Sequence, residues 1–184
     1  MAVREILLLG NSALYEVCEP VRPEEVESLR PAMDDMRDTL LAFRARWGAG
    51  RAIAAPQIGL MKRIVFLERV RNDDAPNTSG ITTPTPLINP MLSNCSDEMI
   101  TLWDDCMSFP DLFVFVRRHR TCDITYRDLD WQSHTVRLEG DLSELLQHEC
   151  DHLDGVLAVA RAVDGRAFAL RSEHRAGRPP AASP

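Results

Sequence analysis

Two histidines four residues apart carry the clearest chemical signal in this sequence. His148 and His152 stand in the segment His-Glu-Cys-Asp-His at 148–152. Residues four apart on an α-helix point in nearly the same direction, so both imidazoles could bind one transition metal ion. Glu149 would then lie where it can act on water at that ion. Leucines surround the pair, and polar groups are seldom buried without a purpose, so the pattern predicts a metal site.

The helical motif by itself leaves the class of hydrolase open, because it also fits zinc peptidases. A third protein ligand is needed to decide. His119, His134 and His174 stand in polar sequence and are expected at the surface without partners. Cys106, which follows a predicted strand, could supply a thiolate and leave one coordination position for water, as in a catalytic metal site.

The composition is that of a globular domain with its own core. The chain has 184 residues, of which 45% are hydrophobic and 27% charged, and a net charge of −7. This negative charge argues against nucleic acid as a partner, because phosphates would be repelled. No apolar run approaches the roughly 20 residues that span a membrane, and the apolar stretch at 6–9 is too short for a signal peptide. We therefore expect a cytoplasmic protein with no membrane partner.

Five cysteines without regular spacing are expected to remain buried thiols in such a compartment, where disulfides are rare. They are Cys18, Cys95, Cys106, Cys122 and Cys150. Of these, only Cys106 is assigned a chemical role.

Two helices and a set of strands must position these residues. Apolar residues between Val26 and Trp47 recur in steps of three and four, which predicts a long amphipathic helix, with Pro31 as a kink or as its true start. A second helix is expected to begin with Asp141 as N-cap and to stop at Gly155. Residues 48–59 are predicted to be irregular, 71–86 an exposed loop, and strands are predicted at 63–70, 86–92, 98–103, 112–118, 121–127 and 134–138.

This order of elements predicts an α+β fold. Antiparallel sheets would pack around the second helix, which carries the metal motif, and a long helix would lie near the N-terminus. Residues 1–168 are predicted to form a single catalytic domain. Residues 169–184 are predicted to be a polar, disordered tail.

Three segments, in this order along the chain, resemble the motifs of the peptide deformylases. Residues 147–155, Gln-His-Glu-Cys-Asp-His-Leu-Asp-Gly, match the family pattern Gln-His-Glu-x-Asp-His-Leu-x-Gly throughout. Residues 104–108, Asp-Asp-Cys-Met-Ser, stand where the family has Glu-Gly-Cys-Leu-Ser. Residues 50–57, Gly-Arg-Ala-Ile-Ala-Ala-Pro-Gln, stand where it has Gly-x-Gly-Leu-Ala-Ala-x-Gln. The resemblance extends from about residue 6 to residue 161, and three ordered motifs make it specific.

The resemblance implies an enzyme that removes the formyl group from the N-terminal formylmethionine of newly made proteins. Cys106, His148 and His152 would bind one divalent transition metal ion. The family implies Fe(II), and the same donors also suit Zn(II), Ni(II) and Co(II). The implied partners are N-formylmethionyl peptides of nascent proteins, at the ribosome.

The resemblance also assigns roles in the reaction. Glu149 would accept the proton of the attacking water and return it to the leaving amine. The side-chain amide of Gln57 and the backbone N–H of Met107 would stabilise the oxyanion. Asp151 is either a residue that orients a metal ligand or a solvated helix carboxylate.

Three positions depart from the family pattern. Ala52 and Asp105 replace glycines, and Asp104 replaces a glutamate. An added side chain and charge beside the metal could change which peptides fit, although we expect Asp105 to point outward into solvent.

Two other hypotheses therefore stand: a related hydrolase for another formylated or acylated amine, and a metal-binding homologue without catalysis. Retention of Gln57 and Glu149 disfavours the last, because binding alone needs neither.

Overall fold

A computed structural model describes residues 2–69 and 79–174. Within them, two α-helices and eight β-strands form an α+β fold, which confirms the predicted class. The helices are α1 (Val26–Trp47) and α2 (Gly140–Leu153). The strands are β1 (Ala52–Ala54), β2 (Ile64–Leu67), β3 (Thr85–Ser93), β4 (Met99–Asp105), β5 (Leu112–His119), β6 (Thr121–Arg127), β7 (Ser133–Glu139) and β8 (Phe168–Leu170).

The strands form two antiparallel sheets. The larger has the order β1-β2-β3-β6-β7 and the smaller the order β4-β5-β8. Helix α2 contacts strands of both sheets. Eleven of its fourteen residues are buried, so the polar side chains of the metal motif lie inside the domain rather than on a solvated face.

Helix α1 packs on the other side of the short strands β1 and β2. Met36 and Leu40 are fully buried there against Ile53 and Ile64. The helix begins at Val26 after a short 3₁₀ turn, so Pro31 lies inside it and does not mark its start. The predicted apolar periodicity is therefore confirmed over the full length of the helix.

The beginning of α2 differs from the prediction. Glu139 occupies the N-cap position without a side-chain capping bond, and Asp141 is the second residue of the helix. Asp141 instead pairs with Arg51 in a distant loop, which local sequence cannot show. The predicted stop is correct: Gly155 has a φ of 71°, and a Cβ there would lie 2.6 Å from the carbonyl oxygen of Tyr15.

Two segments are more ordered than predicted. Residues 48–59 contain β1 and a 3₁₀ turn, Ala55–Ile58, and β1 was missed because three fully buried residues show no alternation. Strand β8 crosses the boundary predicted at residue 168, and its last two residues belong to the segment predicted as tail. Residues 175–184 of that segment lie outside the described residues. Residues 71–78 of the predicted loop and residue 70 of the predicted strand also lie outside the described residues, and β3 already begins at Thr85.

Two expectations about single residues are wrong. Cys95 and Cys122 form a disulfide, because β6 pairs with β3 and brings the chain after β3 beside Cys122. The other three cysteines are free and buried. The three remaining histidines all have neighbours: His119 bonds to Ser96, His134 bonds to Asp128, and His174 stacks on Phe113. In the described part of the chain, neither helix combines the length and apolar character needed to cross a membrane.

Candidate metal centre

Helix α2 places the two histidines of the motif as their spacing predicts. The Nε2 atoms of His148 and His152 lie 3.2 Å apart, and the rings meet edge to face. Both residues are almost completely buried. Burial and the neighbouring His148 hold the pKa of His152 well below its usual value, which favours the neutral imidazole that metal binding requires.

Cys106 lies next to the two histidines but comes from the end of a strand in the smaller sheet. It directly follows β4, and its Sγ lies 3.3 Å from Nε2 of His152. The candidate ligand atoms of Cys106, His148 and His152 all lie within 4.8 Å of one another. Metal bonds of about 2.0–2.3 Å in a tetrahedral site separate ligand atoms by roughly 3.3–3.6 Å. The donor set and its spacing therefore fit one transition metal ion.

A buried network holds the His148 ring. Asp104 Oδ2 accepts hydrogen bonds from His148 Nδ1 at 2.9 Å and from Arg118 Nη2 at 3.0 Å. Burial raises the pKa of Asp104, but the charges of His148 and Arg118 outweigh it, so the pKa lies below its usual value. Asp151 binds Arg118 and Arg161 and thus supports this network from behind, rather than orienting a histidine directly.

The sequence analysis assigned no role of this kind to Asp104 or Arg118. One signal for Arg118 was present: Val114 and Val116 alternate toward the interior of β5, and Arg118 continues that series. A buried arginine on such a face requires an acidic partner. Asp104 stands two residues before Cys106, on the same side of the extended chain.

Gln57 has its side chain fixed beside the thiol. Its Oε1 accepts a hydrogen bond from the backbone N–H of Ala54 at 2.9 Å, so its amide nitrogen faces the opposite way. That nitrogen lies 3.5 Å from Cys106 Sγ and 3.3 Å from Ser108 Oγ. Met107, which follows Cys106 in the chain, is buried and lines the same cavity as Gln57. The Gln57 amide is thus a preorganised donor aimed at the centre.

Glu149 lies in the cavity with one oxygen uncommitted. Its Oε2 is buried and, among the described residues, has no hydrogen-bond partner. Burial raises the pKa of this carboxyl to about 7, against the opposing charge of His148. A carboxyl with a pKa near neutrality can both accept and release a proton at working pH, as a general acid–base group must.

The cavity lined by Cys106 and His148, two of the three candidate donors, has a volume of about 300 Å³. Its wall contains the three departures from the family pattern, Ala52, Asp104 and Asp105. Asp105 was expected to point into solvent; instead it lines the cavity, its side chain 37% exposed, and accepts a hydrogen bond from Arg171 at 3.0 Å. Arg171 lies just beyond β8, which explains why this partner was not foreseen.

The chain is similar to known proteins over nearly its whole length. The family model described as polypeptide deformylase matches residues 3–167. A peptide deformylase of Erythrobacter litoralis is 34% identical over 177 residues, covering 86% of this chain and 89% of that protein. Peptide deformylase 2 of Ralstonia nicotianae is 37% identical over 168 residues, covering 90% of each chain.

Solved structures show the same similarity. A class I type b peptide deformylase from Acinetobacter baumannii superposes with a TM-score of 0.77 at 28% identity, covering 88% of this chain and 99% of the other. The peptide deformylase of Thermotoga maritima gives 0.76 at 27% identity, with 89% and 100% covered. Deformylases are metalloenzymes, and three ligand atoms converge here as such a centre requires. This chain therefore belongs to the polypeptide deformylase family and is a deformylase-type hydrolase.

Proposed function

We propose that Cys106, His148 and His152 bind one divalent transition metal ion, and that the protein hydrolyses the formyl amide of N-formylmethionyl peptides. Nascent proteins at the ribosome, in the cytoplasm, would supply these peptides. The observation that carries the proposal is the convergence of the candidate ligand atoms of Cys106, His148 and His152, since Cys106 and His148 line one cavity with Glu149 and Gln57. Neither nucleic acid nor a membrane is a proposed partner.

The donor set supports a catalytic ion. When bound, such an ion lowers the pKa of water and polarises a carbonyl oxygen. One thiolate and two imidazoles suit Fe(II), Zn(II), Ni(II) and Co(II), and we propose Fe(II) because of the family resemblance. Asp104 keeps the His148 ring turned so that Nε2 faces the other two donors.

Glu149 is proposed to carry the proton through the reaction. It accepts a proton from the water that attacks the formyl carbon, and it delivers that proton to the amine nitrogen as the C–N bond breaks. The products are formate and a free amine. The uncommitted, buried Oε2 of Glu149 supports this role, because no competing hydrogen bond among the described residues holds it.

Gln57 and Met107 are proposed to stabilise the negative charge that develops on the formyl oxygen. The Gln57 amide nitrogen is held toward the centre by the Ala54 hydrogen bond, so little reorganisation is needed during reaction. The backbone N–H of Met107 would be the second donor. Removal of one such donor typically lowers turnover by about 100- to 1000-fold.

One observation favours a second candidate, a hydrolase of a different formylated amine. Arg51 and Glu144, both charged and nearly buried, line the cavity beside the candidate centre. A wall of ionisable side chains is not complementary to the apolar thioether side chain of methionine.

Formate release tests the proposal. The purified protein, loaded anaerobically with Fe(II), is expected to release one formate per formyl-Met-Ala-Ser consumed. Acetyl-Met-Ala-Ser, matched in all but one methyl group, serves as the control. If Fe(II) is the native ion, activity decays in air and is preserved by Ni(II). No formate with any of the four metals would contradict the proposed function, and activity that follows only Zn(II) would contradict iron.

A further inference from the structure

Charged residues from two elements form one wall of the cavity beside the candidate metal centre. Arg51, in the loop before β1, donates to Asp141 Oδ2 at 3.2 Å. Its second guanidinium nitrogen lies 3.5 Å from Glu144 Oε2. The side chains of Arg51 and Glu144 are only 12% and 8% exposed, so these charges lie within the cavity wall and not on the outer surface.

The position of Glu144 in α2 places it in the wall of the cavity that His148 also lines. Glu144 precedes His148 by one helical turn, so both side chains lie on the same face. Candidate ligand atoms of Asp104, Glu144 and His148 all lie within 4.8 Å of one another. Glu144 and His148 line the same cavity, so a substrate that fills this cavity would lie beside the Glu144 carboxyl group.

The charges of this wall do not balance among themselves. Asp104 pairs with Arg118 and Asp105 with Arg171, each at 3.0 Å. Arg51 is shared by the carboxyl groups of Asp141 and Glu144, and Arg118 likewise by those of Asp104 and Asp151. Among the described residues, the carboxyl groups of Asp104, Asp105, Asp141 and Glu144 outnumber the three guanidinium groups that pair with them.

This imbalance affects which first side chain of a formylated peptide the cavity would accept, because that side chain is attached next to the formylated nitrogen. A formyl amide held at the candidate ligand atoms would place that group in the cavity, because Cys106 and His148 line it. A methionine thioether donates no hydrogen bond and would displace water from the buried acceptors. An amide or ammonium group would replace that water with a direct hydrogen bond.

We propose that Glu144 is a specificity-determining residue, and that the cavity selects formylated peptides whose first side chain donates hydrogen bonds over those that begin with methionine. The inference rests on the proposed function, because formyl-amide cleavage at Cys106, His148 and His152 places that side chain in the cavity. Formyl-Met peptides remain substrates, but not the best ones.

The test compares three tripeptides that differ only in the first side chain: formyl-Gln-Ala-Ser, formyl-Lys-Ala-Ser and formyl-Met-Ala-Ser. The metal-loaded wild type is expected to show kcat/KM higher by roughly tenfold or more for the glutamine or lysine peptide than for the methionine peptide. Calorimetric affinities of the unformylated products should follow the same order. A methionine peptide that exceeds both others in kcat/KM and in product affinity would overturn the inference.

Variants assign the preference to Glu144. Glu144→Leu should remove it, since a leucine accepts no hydrogen bond, and Glu144→Gln should keep the preference for glutamine, since its amide oxygen still accepts one. A paired change outside the cavity, Arg137→Met with Asp123→Asn, removes a similar ion pair on β6 and β7 and should leave the order unchanged. An order unchanged in Glu144→Leu would contradict the role of Glu144.

The two proposals fail in different ways. If no peptide releases formate, the proposed function is wrong, and the order of product affinities still decides the present inference. If the methionine peptide is cleaved best and its product also binds best, the proposed function stands and the inference about Glu144 is wrong.

Discussion

Asp104 accepts a hydrogen bond from Nδ1 of His148 at 2.9 Å, and both side chains are nearly inaccessible to solvent. This contact links the end of β4 to the middle of α2. It leaves the opposite ring atom, Nε2, facing His152 at 3.2 Å. A carboxylate behind a ligating imidazole fixes the ring orientation and raises the basicity of the nitrogen that binds metal.

Loss of the Asp104 charge should therefore weaken metal binding. Asp104→Asn is expected to lower the affinity for Zn(II) by roughly 10- to 100-fold, the usual effect of losing such a partner. Competition with a chelator measures it. Asp151→Asn is the matched control, because Asp151 contacts Arg118 but no histidine. It should lower the affinity for Zn(II) less than Asp104→Asn does. Equal affinities in Asp104→Asn and wild type would show that this hydrogen bond does not support the centre.

Cys106 is expected to be essential for metal retention. Cys106→Ala removes one of three proposed protein ligands, so most of the bound metal should be lost on purification. Elemental analysis of metal per chain gives the readout. Cys150→Ala changes another buried cysteine, in the core packing around α2, and should retain the metal. If both variants carry as much metal as wild type, the ligand assignment is wrong.

Glu149→Gln separates metal binding from chemistry. The amide keeps the size of the carboxyl group but cannot accept a proton, so metal content should be unchanged and kcat should fall by roughly 100- to 10,000-fold. Formate release and elemental analysis are measured on the same sample. Glu139→Gln, the same substitution at the exposed N-cap of α2, should keep wild-type turnover. Near-normal kcat in Glu149→Gln would exclude Glu149 as the proton acceptor.

Asp105 is expected to have a small effect despite its place in the cavity. Its side chain is partly exposed and already paired with Arg171, and such surface pairs contribute little. Asp105→Gly should change kcat/KM for formyl-Met-Ala-Ser by less than roughly tenfold. Arg171→Gln, which removes the charged partner of Asp105, should change kcat/KM for the same peptide by a similarly small factor. A much larger rise in Asp105→Gly would mean that this carboxylate, and not Glu144 alone, sets substrate choice.

The disulfide predicts a thiol count. Protein purified in air and denatured with a chelator, without reductant, should show three reactive thiols, because Cys95 and Cys122 are paired. Prior reduction should raise the count to five. A thiol reagent in denaturant measures both values. Five thiols before reduction would show that these cysteines are unpaired in solution.

The features that depend on local order were accessible from the sequence. The four-residue spacing of His148 and His152 sets their common direction on any helix, because helical geometry is a property of near neighbours. The steps of three and four from Val26 to Trp47 likewise predicted α1 in full. The order of the three motifs identified the family that the comparisons show.

Only the tertiary structure shows the contacts between residues that are far apart in the chain. The β4–β5 hairpin brings Asp104 and Arg118 together behind His148. The loop before β1 brings Arg51 to Asp141, the residue expected to cap the second helix, and to Glu144, and both acids line the cavity. Pairing across elements depends on register and packing, which no local periodicity encodes. For that reason the sequence predicted the candidate metal donors, whereas the charged wall of the cavity beside them emerged only from the fold.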